Sequence, residues 1–186
     1  VIKAAIFGEG SPMQGSIPSY LKTAYATYER PVCHFNPERA RAEMAKGKYG
    51  EGTEAVVLTW GSGWWKRWSE IFAANINQVL GTKFTVEVTD ANVAFQRYKA
   101  MEIDCSNTGW IGRMELDEYV GDCFRTDASR NFYKYSNTKV DELIDAGRAE
   151  FNPVKRGELY RMAEDIIVEE CPVIFAFNNN AHNMWR

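Results

Sequence analysis

The sequence predicts an α/β fold built as a mostly parallel sheet flanked by helices. Two observations carry that expectation. Between residues 54 and 110, strand-like and helix-like apolar patterns alternate as strand, helix, strand, helix, strand. That order suits a parallel sheet with crossover helices. The last third then reads as two capped helices followed by a short apolar run, whose two faces a parallel sheet would cover.

The elements follow in order. The segment Gly8-Glu9-Gly10-Ser11-Pro12-Met13-Gln14-Gly15-Ser16-Ile17-Pro18 is rich in turn formers, which excludes a long helix or a central strand. Asn36-Pro37 supplies a cap and a first-turn proline for a helix reaching to Ala45. Glu54 to Trp60 (EAVVLTW) is β-branched and apolar, a strand. Trp65, Trp68, Phe72, Ile76 and Val79 recur at helical spacing, and Gly81 is placed to end that helix. Lys83 to Thr89 alternates, with Phe84, Val86 and Val88 on one face and Thr85, Glu87 and Thr89 on the other. Asp90 caps a helix from Ala91 to about Met101, and Ile103 to Trp110 is a weaker strand. Asn137 leads into Val140, Leu143, Ile144 and Gly147 at helical spacing. Asn152-Pro153 opens the next helix, with Leu159, Ala163, Ile166 and Ile167 as its apolar face. Cys171-Pro172-Val173-Ile174-Phe175-Ala176-Phe177 is the closing buried strand.

Size and charge narrow the function. A chain of 186 residues can bury a real core. Its net charge of -3 and its lack of a Lys/Arg cluster argue against a nucleic-acid partner. No apolar stretch approaches the roughly 20 residues of a membrane helix. Val1-Ile2-Lys3-Ala4-Ala5-Ile6-Phe7 lacks the basic start and cleavage site of a signal peptide, and reads as the interior of a longer protein. The four cysteines, at 33, 105, 123 and 171, include no C-x-x-C, and with Cys33-His34 the one close pair, zinc is not expected. Four buried small hydrophobes would explain them. In an oxidising compartment up to two disulfides could form, by any of three pairings. Cys105–Cys123, either side of one loop, is the favoured bridge, worth about 3 kcal/mol in the chain-entropy model.

Written out, YSNTKVDELIDAGRAEFNPVKRGELYRMAEDIIVEECPVIFAFNN resembles the C-terminal lobe of the family 5 extracellular solute-binding proteins, the dipeptide- and oligopeptide-type receptors of ABC importers. The Gly8–Pro18 loop is similar to the family's GxGxPxxGxIP, and the helix after Asn36 to its DPEKAKxLL. The resemblance covers nearly all of the chain as an ordered set of motifs. It implies a periplasmic-binding-protein-like fold (type II, cluster C), with 1–186 as a single lobe, the second or C-terminal one, of a two-lobed receptor. It also implies a small-molecule or peptide ligand held between the lobes, an N-terminal lobe of the same receptor, a membrane permease as partner, and a place in the periplasm or on the extracellular face of a bacterial membrane. No cofactor is implied.

In peptide-binding members of that family a Gly-Trp-x-x-Asp loop pairs its carboxylate with the peptide's amino group. The matching stretch here, Gly109-Trp110-Ile111-Gly112-Arg113, keeps the Gly-Trp but places Arg113 where the acid stands. An arginine there would favour a carboxylate, phosphate or sugar-acid ligand through its planar fork. Against that, Arg113 can point to solvent or pair with Glu115 or Asp117, and a one-residue shift would let Glu115 act as the acid. Trp110 offers a stacking surface with an indole donor. In Trp60-Gly61-Ser62-Gly63-Trp64-Trp65, glycines permit close backbone approach ahead of a helix N-terminus. The ligand-lining set is therefore Trp60, Trp64, Gly109, Trp110 and Arg113, whereas Trp65 and Trp68 are assigned to core packing. Several tryptophans at a cleft also suit a sugar ring.

Catalysis finds little support. The two histidines, His34 and His182, sit in no nucleophile motif, and Gly8-x-Gly10 lacks the rest of a nucleotide fingerprint. Glu115, Asp117, Glu118 and Asp122 fit no calcium loop and read as a solvated face. A non-enzymatic binding protein is expected. A ligand-sensing receptor or binding protein for a non-peptide anionic solute or oligosaccharide is the first alternative, and a small α/β enzyme the second.

Overall fold

The computed structural model describes residues 10–18, 21, 34–61, 63–112 and 114–179. Expectations resting on Gly8, Glu9, Cys33, Arg113 and His182 fall outside them. The described residues form two compact units, one of Phe35–Gly109 with Gly10 and Asn179, the other of Trp110–Asn178 with residues 11–18, Leu21 and His34.

The first unit is a three-stranded parallel sheet with helices. Its elements are α1 (Pro37–Lys46), β2 (Glu54–Trp60), α2 (Trp64–Leu80), β3 (Lys83–Thr89), α3 (Ala91–Lys99) and the two-residue β4 (Cys105–Ser106), while β1 (Gly10–Pro12) and β5 (Phe177–Asn179) form a separate pair. The strand order is β3-β2-β4, with Val57 opposite Val86 on one side and Cys105 on the other. Caps read from the sequence operate as hydrogen bonds. Asn36 accepts from Arg39 N, and Asp90 from Asn92 N, each satisfying a donor the helix cannot use internally. Gly81 ends α2 at φ 67, a left-handed conformation that suits glycine.

Helix α2 meets the sheet through small residues. Ser69 and Ala73 are buried, while Trp65, Trp68, Phe72 and Ile76 flank them half-buried. Small side chains let the helix backbone approach the strands, so the aromatic rings wrap the contact from its edges. Asn77 locks the helix end to β3. Its Oδ1 accepts from Phe84 N at 2.7 Å and its Nδ2 donates to Phe84 O at 2.9 Å. The Ile103–Trp110 strand shrinks to Cys105–Ser106, because beyond it Asn107 turns its amide to α2.

The second unit is built on two long helices, α5 (Thr138–Ala149) and α6 (Pro153–Glu170), with a 3-10 turn at Leu116–Glu118 and the short α4 (Gly121–Phe124). Asn137 and Asn152 cap the long helices with bonds to the N–H groups two and three residues on. Val140, Leu143, Ile144 and Gly147 are buried as the periodicity requires. In α6 the buried stripe runs through Tyr160, Ala163, Glu164 and Ile167, with Leu159 and Ile166 packed at its margin. The two helices approach closely at Gly147, where a Cβ would lie 2.9 Å from Tyr160 Cε2. Ile17, Leu21, Leu116, Tyr119, Val120 and Phe124 complete this core.

The closing strand differs from expectation. Cys171 is the left-handed cap of α6 at φ 50, its N–H donating to Ile167 O, and Pro172 follows in a bend. Val173 and Phe175 pack on the core while Ile174 is 64% exposed. Alternation is kept, but without a sheet. The strand β5 is Phe177–Asn179, and among the described residues it pairs with the short β1 (Gly10–Pro12) alone.

Candidate functional site

Within the first unit, chemistry gathers at the carboxyl ends of the strands. The chain leaves β2 towards β3 on one side and returns, through α3, to β4 on the other. The ends of β2 and β4 are therefore a topological switch point, where open parallel sheets leave a crevice for ligands. Strand β2 ends at Trp60, Gly61 at φ 71 and Gly63 at φ 76 follow, and then α2 starts at Trp64 with no side-chain cap and no acidic residue in its first turn. After β4 come Asn107, Thr108 and Gly109.

Three of the predicted residues meet here around a fourth. Trp65 lies 3.9 Å from Trp64, stacked, and 5.0 Å from Trp60, while Trp60 also faces Phe95 at 5.8 Å. Gly109 sits beneath the same ring, where a Cβ would come 2.8 Å from Trp65 Cη2. Trp65 is thus the hub of the group and not simply a core residue. Its spacing at 65, 68 and 72 concealed this, since the same periodicity describes either role. Behind the rings, Asn107 Nδ2 donates to Trp65 O at 3.1 Å and to Ser69 Oγ at 2.8 Å. The buried oxygens Thr59 Oγ1 and Asn107 Oδ1 have no hydrogen-bond partner among the described residues. Open depressions elsewhere on this unit, one of about 270 Å³ lined by Val56, Leu58, Arg97 and Met101, lie away from these rings.

The second unit carries Trp110, 40% exposed, followed by Ile111 at 94%. Arg113 lies outside the described residues. The guanidinium of Arg130 stacks over Trp110, 4.1 Å from the ring centre, and donates to Asp122 Oδ2 at 3.0 Å. Neither partner was legible as part of a site.

The acidic stretch after this loop is not a solvated face. Glu115 accepts from Arg156 Nη2 at 2.6 Å. Asp117 accepts from Arg148 Nε and Nη2 and, at 2.9 Å, from the Tyr160 hydroxyl. Burial and the adjacent Asp117 carboxylate push the Tyr160 hydroxyl well above its ordinary range. Glu115 is thereby already neutralised by a cation, which makes it a poor partner for a ligand amine.

The Cys105–Cys123 bridge is absent. Both are free thiols in different units, Cys105 Sγ donating to Val56 O and Cys123 Sγ to Glu118 O, each at 3.7 Å. Burial raises Cys105 to about 11 and Cys123 to about 12, so both stay protonated at neutral pH. Among the described residues, no three His, Cys, Asp or Glu gather as a metal ion would need, and no helix is long and apolar enough to cross a membrane.

Residues 1–131 match the family described as bacterial extracellular solute-binding proteins, family 5. The chain belongs to this family. Family 5 is a family of binding proteins, not of enzymes. The chain is 26% identical to the glutathione-binding protein GsiB of Shigella flexneri, over 94% of this chain and 36% of that protein. It is 25% identical to the di/tripeptide-binding protein 1 of Pseudomonas aeruginosa, over 75% and 27%. It therefore spans about a third of the length of these family 5 relatives. Among solved structures, it superimposes on the murein tripeptide binding protein MppA of Escherichia coli with a TM-score of 0.86 at 17% identity, over 96% of this chain and 36% of that one. The complex of Haemophilus influenzae OppA with the peptide RPPGFSPFR gives 0.87 at 16%, over 95% and 36%. These likenesses establish a periplasmic-binding-protein-like α/β fold.

Proposed function

We propose that this chain is the second, C-terminal lobe of a receptor that serves an ABC importer. The receptor binds a peptide or related small solute between two lobes, in the periplasm or at the extracellular face, and passes it to a membrane permease. The observation that carries this reading is the group of Trp60, Trp64, Trp65 and Gly109 at the switch point of the sheet, which offers apolar ring surface beside an uncapped helix N-terminus. Glutathione-binding and di/tripeptide-binding relatives support a peptide-type solute. Trp60, Trp64, Gly109 and Trp110 line the ligand.

Arg113 sets the ligand's charge in this proposal. An arginine in the position of the family's acid repels an ammonium and takes a carboxylate, and each charge-assisted bond is worth about 1.5–3 kcal/mol. Arg113→Asp in the full-length receptor is expected to shift preference from anionic solutes towards amine-bearing ones by tenfold or more, on the order of that energy. Calorimetry with a matched anionic and cationic tripeptide reads the shift, and an unchanged ratio removes Arg113 from the pocket.

Native mass spectrometry of the full-length protein, purified without refolding, tests the broader reading. A peptide mass ladder or glutathione bound to the receptor supports it. A saccharide places the tryptophans against sugar rings and moves the chain out of the peptide-binding branch.

A further inference from the structure

Trp110 stands on a loop with 40% of its surface exposed. Its neighbour Ile111 is 94% exposed, and a tryptophan so placed is free to rotate about its side-chain torsions unless something holds the ring. Arg130 does so. Its guanidinium lies 4.1 Å from the indole centre, within cation–π reach, and a planar guanidinium stacks flat on an indole as an ammonium cannot.

The guanidinium is itself tethered. Arg130 Nη1 donates to Asp122 Oδ2 at 3.0 Å, the one hydrogen bond of its side chain among the described residues. Asp122 belongs to α4, where Gly121, Cys123 and Phe124 are all buried. A continuous path thus leads from the ring through the guanidinium and a carboxylate to a packed helical turn. Downstream of the ring, Gly112 presses against the buried Tyr119, since a Cβ there would lie 2.8 Å from Tyr119 Cζ. The ring nonetheless keeps 40% of its surface open.

We infer that Arg130, held by Asp122, is a positioning residue for solute binding. It fixes the plane of Trp110 before the solute arrives, so that the open part of the ring packs on the solute without a further ordering cost. The inference rests on the solute-binding reading above and adds to it a residue that would act only through Trp110.

A double-mutant cycle in the full-length receptor tests it, with glutathione and tri-alanine as calorimetric probes. Arg130→Met is expected to weaken binding of whichever probe the wild type takes by about three- to fivefold, the scale of an exposed cation–π contact. Arg130→Lys recovers part of that loss. In the Trp110→Ala background, Arg130→Met costs nothing further, because no ring remains to be held. An equal loss in both backgrounds overturns the inference, since Arg130 then acts independently of Trp110. So does no loss with Trp110 intact. A wild-type receptor that binds neither probe gives a distinguishable result: the peptide-type reading falls, and this inference falls with it.

Discussion

The helical unit and the sheet unit spend their apolar side chains differently. In the helical unit Val120, Val140, Ile144, Tyr160, Ala163 and Ile167 are all 0% exposed. In the sheet unit α1 buries nothing, α2 buries only Ser69 and Ala73, and Val88, Val93 and Phe95 are over 40% exposed. One unit draws its stability from a closed core. The other closes a smaller core, at Val57, Leu58, Ala73, Ala94 and Tyr98, and leaves Trp60, Trp64 and Trp65 half-buried at its strand ends.

The sharpest way to break that contrast is a pair of truncations. Ile144→Ala removes side-chain volume from a site with no solvent and is expected to cost about 2–5 kcal/mol. Val88→Ala, at a 46% exposed position, should stay within about 0.5 kcal/mol. Chemical denaturation of the two variants decides the matter. Comparable losses would mean that the sheet unit depends on its exposed faces as much as the helical unit does on its core.

Two glycines sharpen the contrast further, with a smaller effect. Gly147→Ala drives a methyl against Tyr160, which is fully buried and has no room to move, for an overpacking cost of about 1–3 kcal/mol. Gly109→Ala meets only the far edge of the half-buried Trp65. That ring can tilt, so the stability loss is expected to be below that of Gly147→Ala. The near-ultraviolet circular dichroism should nonetheless change, because the stacked Trp64–Trp65 pair is disturbed. An unaltered spectrum would mean that the ring group is loose and offers no defined wall.

Local chemistry explains which parts of this molecule were legible in sequence. Asn36, Asp90, Asn137 and Asn152 cap helices through bonds spanning two or three residues, so the pattern and its cause lie together in the chain. What stayed hidden depends on distant partners. Glu164 falls in the buried stripe of α6 because its Oε1 accepts from Ile17 N at 2.6 Å and from Ser16 Oγ at 3.2 Å, groups almost the whole chain away. Arg130 joins Trp110, and Arg156 joins Glu115, in the same non-local way. The run from Cys171 to Phe177 has a strand's composition, but composition does not supply a neighbouring strand, and among the described residues β1 alone pairs with its end.

The smallest predicted effect concerns alkaline pH, and it too divides between the units. Cys105, in the sheet unit, is raised from 9.0 to about 11 by burial and then by the charge of Asp104. Cys123, in the helical core, is raised from 9.0 to about 12 by burial and Asp122, against an opposing contribution from Arg130. Each folded thiol holds its proton at a pH where the unfolded thiol has released it. Between about pH 9 and the folded values the native state binds more protons, so stability falls as pH rises. Below the unfolded value both states are protonated and neither thiol contributes. Tyr135 and Tyr160, both raised above 10.0, act in the same sense at still higher pH. The slope from any one group cannot exceed about 1.4 kcal/mol per pH unit. Cys105→Ala and Cys123→Ala should therefore each flatten the decline of the unfolding midpoint between about pH 9 and 11, because each removes a thiol that the folded state keeps protonated. A decline that neither variant flattens would mean that water reaches both thiols in the folded state, in the helical core and in the sheet unit alike.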